Sequence, residues 1–333
     1  MTVTEIAPPE KPEAPPPGPP VIIVAGPTAS GKSGLALALA ECFAGTVINA
    51  DSMQVYRELA VITARPSPAE EARVPHRLFG VLPAAERCSV GRWLGMATEA
   101  IAEARAEGRL PIVAGGTGLY LKALTEGLAP VPPVPEEVTA ASGELYDRLG
   151  GDAFRAGLAE LDPVAAARLP AGDRQRLIRA HAVVCATGKP LSDWQAAAPA
   201  GAAVAAHFFT ILIDPPRDAL YAACDARFDA MLAAGAVNEV LALDALGLDP
   251  GLPAMRALGV PDLTAHVRGG MDLETAAARA KQATRNFAKR QVTWFRHQLI
   301  ADLTLGAGGP DAAAHAIVFL ENQGIVRVAS AQR

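Results

Sequence analysis

The fold of this 333-residue chain is decided by the stretch Val21-Ile22-Ile23-Val24-Ala25-Gly26-Pro27-Thr28-Ala29-Ser30-Gly31-Lys32-Ser33. Its β-branched first part predicts a strand that is buried on both faces, and the Ala/Leu-rich segment 35–43 predicts a helix. Between them, residues 26–33 fit the phosphate-loop pattern G-x-x-x-x-G-K-[ST], which joins a strand to a helix. The sequence therefore predicts a binding site for a diphosphate or a triphosphate.

Each residue type in this loop has a physical role toward a phosphate. The glycines let backbone N–H groups curl around the anion, and the N-terminus of the helix adds positive potential. Lys32 supplies a full positive charge, and the hydroxyl of Ser33 is expected to bind a magnesium ion. We therefore expect Mg²⁺ as the cofactor.

Two further apolar runs repeat the arrangement of a strand followed by a polar turn. Residues 46–50 end at Asp51, and residues 110–114 end at Gly115-Gly116-Thr117-Gly118 after a predicted helix over 90–107. Strands that alternate with helices predict an α/β fold, with a P-loop NTPase-like core whose parallel sheet is flanked by helices on both faces. A further strand is expected at 207–213, and helices are expected at about 217–246 and 273–298.

Composition divides the chain into a tail, a core and an insertion. Eight of the 28 prolines lie within residues 1–20, which predicts a disordered Pro-rich tail. The segment Pro-Val-Pro-Pro-Val-Pro at 130–135 breaks the alternation, and residues 136–200 are rich in Ala, Arg and Leu without a strand-like run. We therefore expect a mostly helical insertion at 136–200 within a P-loop α/β core made of 21–135 and 201–333.

Charge and cysteine content disfavour several classes of protein. The net charge of −5 disfavours a protein that binds nucleic acid over its whole surface. The four cysteines form no C-x-x-C pair, so neither a disulfide scaffold nor a structural zinc site is expected. The N-terminus lacks the apolar segment of a signal peptide, and no apolar run is long enough to span a bilayer. We expect a soluble, monomeric, cytoplasmic protein without a membrane partner.

The phosphate loop and Asp51 by themselves allow two functions. In a nucleotide kinase or an ATPase, Asp51 would hold magnesium at the end of the second strand. In a transferase, the loop would hold a leaving diphosphate while Asp51 takes a proton from the incoming nucleophile. Both functions stay open at this level, and the first is the commoner use of such loops.

Longer motifs follow one another along the chain. They are the phosphate loop at 26–33, Asp-Ser-Met-Gln-Val-Tyr-Arg at 51–57, Pro-His-Arg-Leu at 75–78, Gly-Gly-Thr-Gly-Leu-Tyr at 115–120, Gln-Arg-Leu-Ile-Arg at 175–179, Thr-Gly-Lys-Pro-Leu-Ser at 187–192, Ala-Met-Arg-Ala-Leu-Gly at 254–259 and Ala-Lys-Arg-Gln-Val-Thr-Trp at 288–294. From about residue 21 to residue 300, this ordered set resembles the tRNA dimethylallyltransferases, also called tRNA isopentenyltransferases. The set is far more specific than the phosphate loop alone.

The resemblance implies a magnesium-dependent transfer of a dimethylallyl group from dimethylallyl diphosphate. The acceptor is the N6 amino group of the adenosine immediately 3′ of the anticodon, so the second partner is the anticodon stem-loop of tRNA. By similarity to the family, Asp51 orients this amine and accepts its proton, and Thr117 lies beside the same site. The guanidinium of Arg256 suits a bidentate contact with the diphosphate.

Contacts with tRNA are expected from three segments. The resemblance assigns them to Asp51-Ser52-Met53-Gln54, in which Met53 and Gln54 line the adenosine pocket, and to Gln175-Arg176-Leu177-Ile178-Arg179. The third segment is predicted from the spacing of basic residues along a helix. Lys281, Arg285 and Lys289 share one helix face at i, i+4 and i+8, where they repel one another unless an anion is nearby. We therefore predict that Lys281 and Arg285 contact tRNA phosphates.

Three other functions stay open beside transfer to tRNA. A cytokinin-type transferase that prenylates free adenine nucleotides is one, although such an acceptor needs no helical insertion to hold an RNA loop. A nucleic-acid-binding P-loop kinase or ATPase is the second, and a non-catalytic RNA-binding protein is the third. Prenyl transfer to unmodified tRNA, tested against ATP hydrolysis, distinguishes these functions.

Overall fold

A computed structural model of the chain describes residues 18–197 and 201–327. The expected Pro-rich tail lies outside the described residues except for its last residues, 18–20, and Pro20 already begins the first strand. The chain divides into two compact units, one formed by the segments up to Thr125 and from Val204 onward, the other by Glu126–Ala203.

The first unit contains a parallel sheet, as the sequence predicts, and the sheet has six strands where the sequence indicated four: the short strands at 76–77 and 303–305 were not predicted. The spatial order is β3-β2-β4-β1-β5-β6, so β1 lies between β4 and β5. Because the strands are parallel and in register, the loops that follow β1, β2 and β4 leave the sheet at the same edge. The strands are β1 (Pro20–Ala25), β2 (Gly45–Asn49), β3 (His76–Arg77), β4 (Leu110–Gly115), β5 (His207–Ile213) and β6 (Leu303–Leu305).

Helices make up most of the remaining structure. Within the described residues no helix is long and apolar enough to cross a membrane. A short 3-10 helix, Ala254–Arg256, precedes α12. The α-helices are α1 (Lys32–Cys42), α2 (Pro68–Glu71), α3 (Val90–Ala106), α4 (Gly118–Glu126), α5 (Glu136–Leu149), α6 (Gly151–Leu161), α7 (Pro163–Arg168), α8 (Arg174–Thr187), α9 (Leu191–Ala196), α10 (Arg217–Ala233), α11 (Ala236–Asp244), α12 (Val260–Val267), α13 (Leu273–Gln298) and α14 (Pro310–Asn322).

Both faces of the sheet are covered, which explains why β1 is a continuous apolar run. Ile23 packs in a hydrophobic cluster with Trp93 of α3, while its neighbour Ile22 packs on the opposite face with Leu39 of α1. Successive strand side chains point to opposite faces, so every position of this strand has to be apolar. With both faces covered, the carboxyl edge of the sheet is the place where polar loops can form a site.

The second unit is helical, as expected for the insertion, and has a hydrophobic core of its own. Phe154, Leu158 and Leu177 are buried in this core. The buried carboxylate of Asp162 accepts hydrogen bonds from the N–H of Ala165 at 2.9 Å and from the hydroxyl of Ser192 at 2.7 Å. These bonds cap α7 and tie the start of α9 to it, so the unit is held by polar as well as apolar contacts.

Candidate active site

The phosphate loop leaves β1 and turns directly into α1. Ala29 and Gly31 have positive φ angles of 62° and 89°, so the chain makes a tight left-handed turn before the helix begins at Lys32. Gly31 adopts this conformation without steric cost, and a Cβ there would lie only 3.1 Å from the Cα of Gly308. The first N–H groups of α1 lack intrahelical acceptors, which is the arrangement that favours a bound phosphate.

Lys32 is buried inside this loop. Its side chain is 9% exposed, and its Nζ donates a hydrogen bond to the carbonyl oxygen of Pro27 at 3.3 Å. Burial lowers the pKa of Lys32 to about 8, the charge of Asp51 opposes this shift, and the charge of Arg227 adds to it. A cation that is so poorly solvated gains strongly from an anionic ligand placed beside it.

Asp51 is held in a frame of hydrogen bonds at the end of β2. Oδ1 of the Asn49 side chain accepts a hydrogen bond from the N–H of Asp51 at 2.8 Å. Nδ2 of the same side chain donates to the carbonyl oxygen of Asp51 at 3.0 Å. Oδ1 of the Asp51 carboxylate accepts the N–H of Met53 at 2.9 Å. The indole of Trp93 donates to the carbonyl oxygen of Asn49 at 2.9 Å, which fixes the frame to α3. The carboxylate therefore has a defined direction.

Thr117 is one hydrogen bond away from the Asp51 segment. Its Oγ1 accepts the N–H of Ser52 at 2.9 Å, and its own N–H donates to the carbonyl oxygen of Ala50 at 3.2 Å. The two loops can approach because Gly115 has no side chain, since a Cβ there would lie 2.1 Å from the carbonyl oxygen of Ala50. The loops after β2 and β4 therefore form one hydrogen-bonded unit.

A cavity of about 280 Å³ opens beside these loops. Its polar lining includes Thr28, Asp51, Ser52, Arg227, Arg256 and Arg290. Its apolar lining includes Met53, Ile62, Phe228, Met231, Leu258 and Phe287. A single carboxylate, several guanidinium groups and an apolar wall therefore face the same space, which can hold an anion together with an apolar or aromatic group.

Arg227, on α10, is a residue of this site that the sequence analysis missed. Its guanidinium donates from Nη1 to the hydroxyl of Thr28 at 2.8 Å and from Nη2 to the carbonyl oxygen of Thr63 at 2.9 Å. Its Nε is buried and has no hydrogen-bond partner, and burial lowers the pKa of the group. No local motif marks this arginine, because its importance arises only when α10 packs against the phosphate loop.

Arg256 lies at the same cavity, as its proposed contact with a diphosphate requires. It belongs to the 3-10 helix, is exposed, and donates from Nε to the carbonyl oxygen of Pro250 at 3.4 Å. Arg256 is therefore exposed at the cavity, whereas Arg227 is half-buried there.

Met53 and Gln54 line different cavities. Met53 lines the cavity, as expected, whereas Gln54 does not. The Gln54 side chain donates from Nε2 to the carbonyl oxygens of Thr63 at 2.9 Å and Ala64 at 3.1 Å. It lines a smaller, adjacent cavity with Lys32. The Gln54 amide therefore holds the 63–64 turn, and the expected place of Gln54 in the adenosine pocket stays a prediction.

Lys281 and Arg285 have protein carboxylates as partners. Nζ of Lys281 lies 2.6 Å from Asp229, and Nη1 of Arg285 lies 2.6 Å from Asp225. These aspartates of α10 are the anions that the i, i+4, i+8 spacing requires, so the spacing argument for tRNA phosphates is corrected. Contact of this face with tRNA stays a prediction. Lys289, further along α13, is exposed.

The second unit presents only part of its predicted tRNA motif to solvent. Gln175, Arg176 and Arg179 are exposed on α8. Leu177 and Ile178 are 0% and 7% exposed and belong to the hydrophobic core of that unit. The side chains of these two residues therefore belong to the core of the unit, and the expected contact of the segment 175–179 with tRNA stays a prediction. The alternation follows from the helix, whose period turns neighbouring residues to different sides.

The residues at the loop fit a magnesium ion. The exposed hydroxyl of Ser33 and the carboxylate of Asp51 are hard oxygen donors of the type that Mg²⁺ prefers. Across residues 18–197 and 201–327, no group of three or more His, Cys, Asp or Glu side chains is placed to hold a metal. Mg²⁺ commonly binds through one or two protein oxygens together with substrate phosphates and water, and this donor set suits such binding.

Comparisons with known proteins identify the relatives of this chain. Residues 54–298 match the IPP transferase family, and residues 19–79 match the Isopentenyl transferase family. The chain is 60% identical over 282 residues to the tRNA dimethylallyltransferase of Rhodospirillum centenum, which covers 85% of this chain and 90% of that protein. It is 56% identical over 294 residues to the tRNA dimethylallyltransferase of Rhodospirillum rubrum, which covers 88% of this chain and 90% of that protein.

Solved structures with the same fold point to the same family. The tRNA isopentenylpyrophosphate transferase of Bacillus halodurans superposes with a TM-score of 0.65 at 28% identity, over 91% of this chain and 96% of that chain. A eukaryotic dimethylallyltransferase acting on tRNA superposes with a TM-score of 0.79 at 27% identity, over 92% of this chain and 79% of that chain. With a family match over most of its length and relatives more than half identical, the chain belongs to the IPP transferase family.

Proposed function

We propose that this chain is a tRNA dimethylallyltransferase. It transfers a dimethylallyl group from dimethylallyl diphosphate to N6 of the adenosine immediately 3′ of the tRNA anticodon. The observation that carries this proposal is that Thr28 of the phosphate loop, the framed carboxylate of Asp51 and an apolar wall line one cavity, while the charge of Asp51 acts on Lys32 of the same loop. The names of the relatives at 60% and 56% identity support the same activity.

The phosphate loop and the guanidinium groups bind the leaving diphosphate. Lys32, which lines the smaller cavity, and the first N–H groups of α1 contact its oxygens, and Arg227 and Arg256 add positive charge from the lining of the large cavity. Negative charge grows on the diphosphate as its bond to the prenyl carbon breaks. Donors that are already in place stabilise this charge more in the transition state than in the bound substrate.

Asp51 acts on the nucleophile. The lone pair of an adenine amine is delocalised into the ring, so the amine attacks only weakly by itself. The carboxylate accepts a hydrogen bond from N6 and takes its proton as the bond from N6 to the prenyl carbon forms and the bond from that carbon to the diphosphate oxygen breaks. The Asn49 frame gives the carboxylate its direction, and Thr117 holds the neighbouring N–H of Ser52.

Ser33 is the residue that would hold magnesium, with Asp51 as a possible second oxygen donor. A bound Mg²⁺ supplies positive charge to the diphosphate oxygens. The chain itself supplies the lysine and arginine contacts described above, so the metal complements these groups.

The second unit supports recognition of the anticodon stem-loop. Gln175, Arg176 and Arg179 offer one amide and two guanidinium groups on the exposed side of α8. Such groups bind phosphates and give an affinity that falls with salt. The target adenosine has to leave its stack to reach the carboxylate, which requires contacts that hold the surrounding RNA. We place this reaction in the cytoplasm and assign it to a monomer.

Product analysis tests the proposal directly. Purified protein is incubated with Mg²⁺, dimethylallyl diphosphate and unmodified tRNA, and digested tRNA is examined by mass spectrometry. We expect one dimethylallyl group per tRNA, equimolar diphosphate, and no transfer to a matched tRNA with guanosine at the target position. Transfer to free adenylate at a higher rate, or ATP hydrolysis without prenyl transfer, would contradict the proposal.

A further inference from the structure

One glutamine interrupts the apolar, core-facing stripe of α13. The buried residues of this helix are Gln291, which is 6% exposed, together with Ala276, Ala280, Ala288 and Phe295. A buried amide is unfavourable unless its donor and acceptor groups are both paired. A leucine or methionine would fill the same volume without this requirement, so the polar identity of Gln291 needs an explanation beyond packing.

Both ends of the Gln291 amide contact loops of the candidate active site. Its Oε1 accepts the N–H of Thr28 in the phosphate loop at 2.8 Å. Its Nε2 donates to the carbonyl oxygen of Gly116 in the loop after β4 at 2.7 Å. The fit is close, because a Cβ at Gly116 would lie 2.4 Å from Nε2. One side chain from α13 therefore sets the distance between two loops that begin on neighbouring strands.

The two loops carry different halves of the proposed reaction. Thr28 also receives a hydrogen bond from Arg227, on the diphosphate side of the cavity. Gly116 precedes Thr117, whose hydroxyl holds the N–H of Ser52, next to Asp51. A continuous chain of contacts thus runs from the phosphate loop through Gln291 to the segment that carries the carboxylate.

We propose that Gln291 is a positioning residue for the transfer reaction. It does not contact the substrate. It holds the phosphate loop and the 115–118 loop at a fixed separation, so that the prenyl carbon, the leaving oxygen and the amine held by Asp51 stay in line. This inference rests on the proposed function. Alignment of this kind matters because a misplacement of about 1 Å can lower a rate on the order of a hundredfold.

The first test is Gln291→Met, which keeps the volume of the side chain and removes both hydrogen bonds. We expect kcat for prenyl transfer to fall roughly 30- to 100-fold, with the KM for dimethylallyl diphosphate and the Kd for tRNA within about threefold of the wild-type values. Gln298→Met, the same change at an exposed position of α13, is the matched control and should leave kcat unchanged. A Gln291→Met protein that keeps its kcat, whatever its melting temperature, would overturn the proposal.

A double-mutant cycle covers the case in which Gln291→Met does not fold. Gly116→Ala disturbs the same contact from the other side, and Gln291→Glu keeps an acceptor for Thr28 while it loses the donor to Gly116 at neutral pH. Each change should lower kcat by at least tenfold, and the pair Gly116→Ala with Gln291→Glu should be no worse than the more severe single variant. Additive losses, or losses confined to KM, would contradict a shared positioning role.

The wild-type reaction separates this inference from the proposed function. If wild-type protein transfers no prenyl group to tRNA, the proposed function fails and the positioning role fails with it. If wild-type protein is active and the variants match it, only the role of Gln291 fails.

Discussion

The carboxyl edge of the sheet and the exposed side of α8 both carry polar groups, but they hold them differently. At the sheet edge, Asn49, Arg227 and Gln291 are buried or half-buried, and hydrogen bonds to the backbone or to Thr28 fix each of them. On α8, Arg176 lies in solvent and pairs with Asp173 at 3.3 Å, with its side chain 75% exposed. Fixed groups define a geometry, whereas solvated groups contribute charge. Loss of the first kind should affect rate, and loss of the second kind should affect affinity.

The largest effect should come from Asp51, the residue that we propose as the base for the reacting amine. Asp51→Asn keeps the shape but cannot accept a proton. We expect kcat to fall on the order of a thousandfold while the Kd for tRNA stays within about twofold. Single-turnover rates and gel-shift assays measure the two quantities. A comparable loss of tRNA binding would show that Asp51 acts on affinity. It would contradict the distinction between fixed groups that affect rate and solvated groups that affect affinity.

Arg227 should follow, because the proposed reaction assigns it to the leaving diphosphate from a half-buried position. Arg227→Gln removes the charge and leaves an amide near Thr28. We expect kcat/KM for dimethylallyl diphosphate to fall about a hundredfold. Arg268→Gln is the control, since that guanidinium is exposed and pairs with Asp244 at 2.7 Å. Equal, small effects of both variants would mean that burial of Arg227 has no catalytic consequence.

The pH dependence of KM for dimethylallyl diphosphate tests the role of Lys32, a buried cation of the sheet edge. Because its pKa is lowered to about 8, the charge that attracts diphosphate is lost above this pH in the free enzyme. We expect the KM for dimethylallyl diphosphate to rise by up to about tenfold per pH unit above pH 8, and Lys32→Arg to remove this dependence. A pH-independent KM in the wild-type protein up to pH 10 would contradict the assignment.

The same shift in the pKa of Lys32 affects stability in a defined direction. Between the folded value of about 8 and the ordinary value of 10.5, the unfolded chain binds more protons at this lysine than the folded protein does. Its contribution to the free energy of unfolding therefore rises with pH across this interval and is constant below it. Denaturant unfolding of wild-type protein and of Lys32→Met over this pH range measures the contribution.

The smallest effects should come from the exposed cations. Arg176→Ala with Arg179→Ala should raise the Kd for tRNA roughly tenfold and lower the slope of log Kd against log salt by about two, with kcat unchanged at saturating tRNA. Lys281→Ala with Arg285→Ala removes the same charge from residues that Asp229 and Asp225 neutralise. For that pair we expect less than about a twofold change in Kd. A larger change in Kd for the Lys281 and Arg285 pair than for the Arg176 and Arg179 pair would support the prediction, made from helix spacing, that Lys281 and Arg285 contact tRNA phosphates.

Local sequence patterns were sufficient for four of the six strands and for the loops that follow three of them. The β-branched run before Gly26, the G-x-x-x-x-G-K-[ST] pattern and the position of Asp51 after the second strand are local signals, and the parallel sheet brings those loops to one edge. The sequence therefore places Asp51 at the same edge of the sheet as the phosphate loop once the strands are known to be parallel, whereas the position of β4 between β1 and β2 was not predicted.

Contacts between distant elements could not be predicted in this way. Gln291 lies 263 residues from Thr28, and Arg227 lies 199 residues from it, so no spacing rule connects them. The carboxylate partners of Lys281 and Arg285 belong to α10, and they become visible only when α10 and α13 pack together. The burial of Leu177 and Ile178 follows from the period of the helix, which is a local signal present in the sequence.

The hydrogen bond from Thr28 to Gln291 has a consequence for ligand selectivity. A backbone N–H that already has an internal acceptor is not available to an oxygen of an incoming ligand. The N–H of Ser30 also has an internal acceptor, because it donates to the carbonyl oxygen of Pro27 at 3.3 Å. Two amides of the loop, those of Thr28 and Ser30, are therefore less available to a ligand, and binding depends more on the remaining amides and on Lys32. A smaller set of free amides suits a short phosphate chain better than a long one.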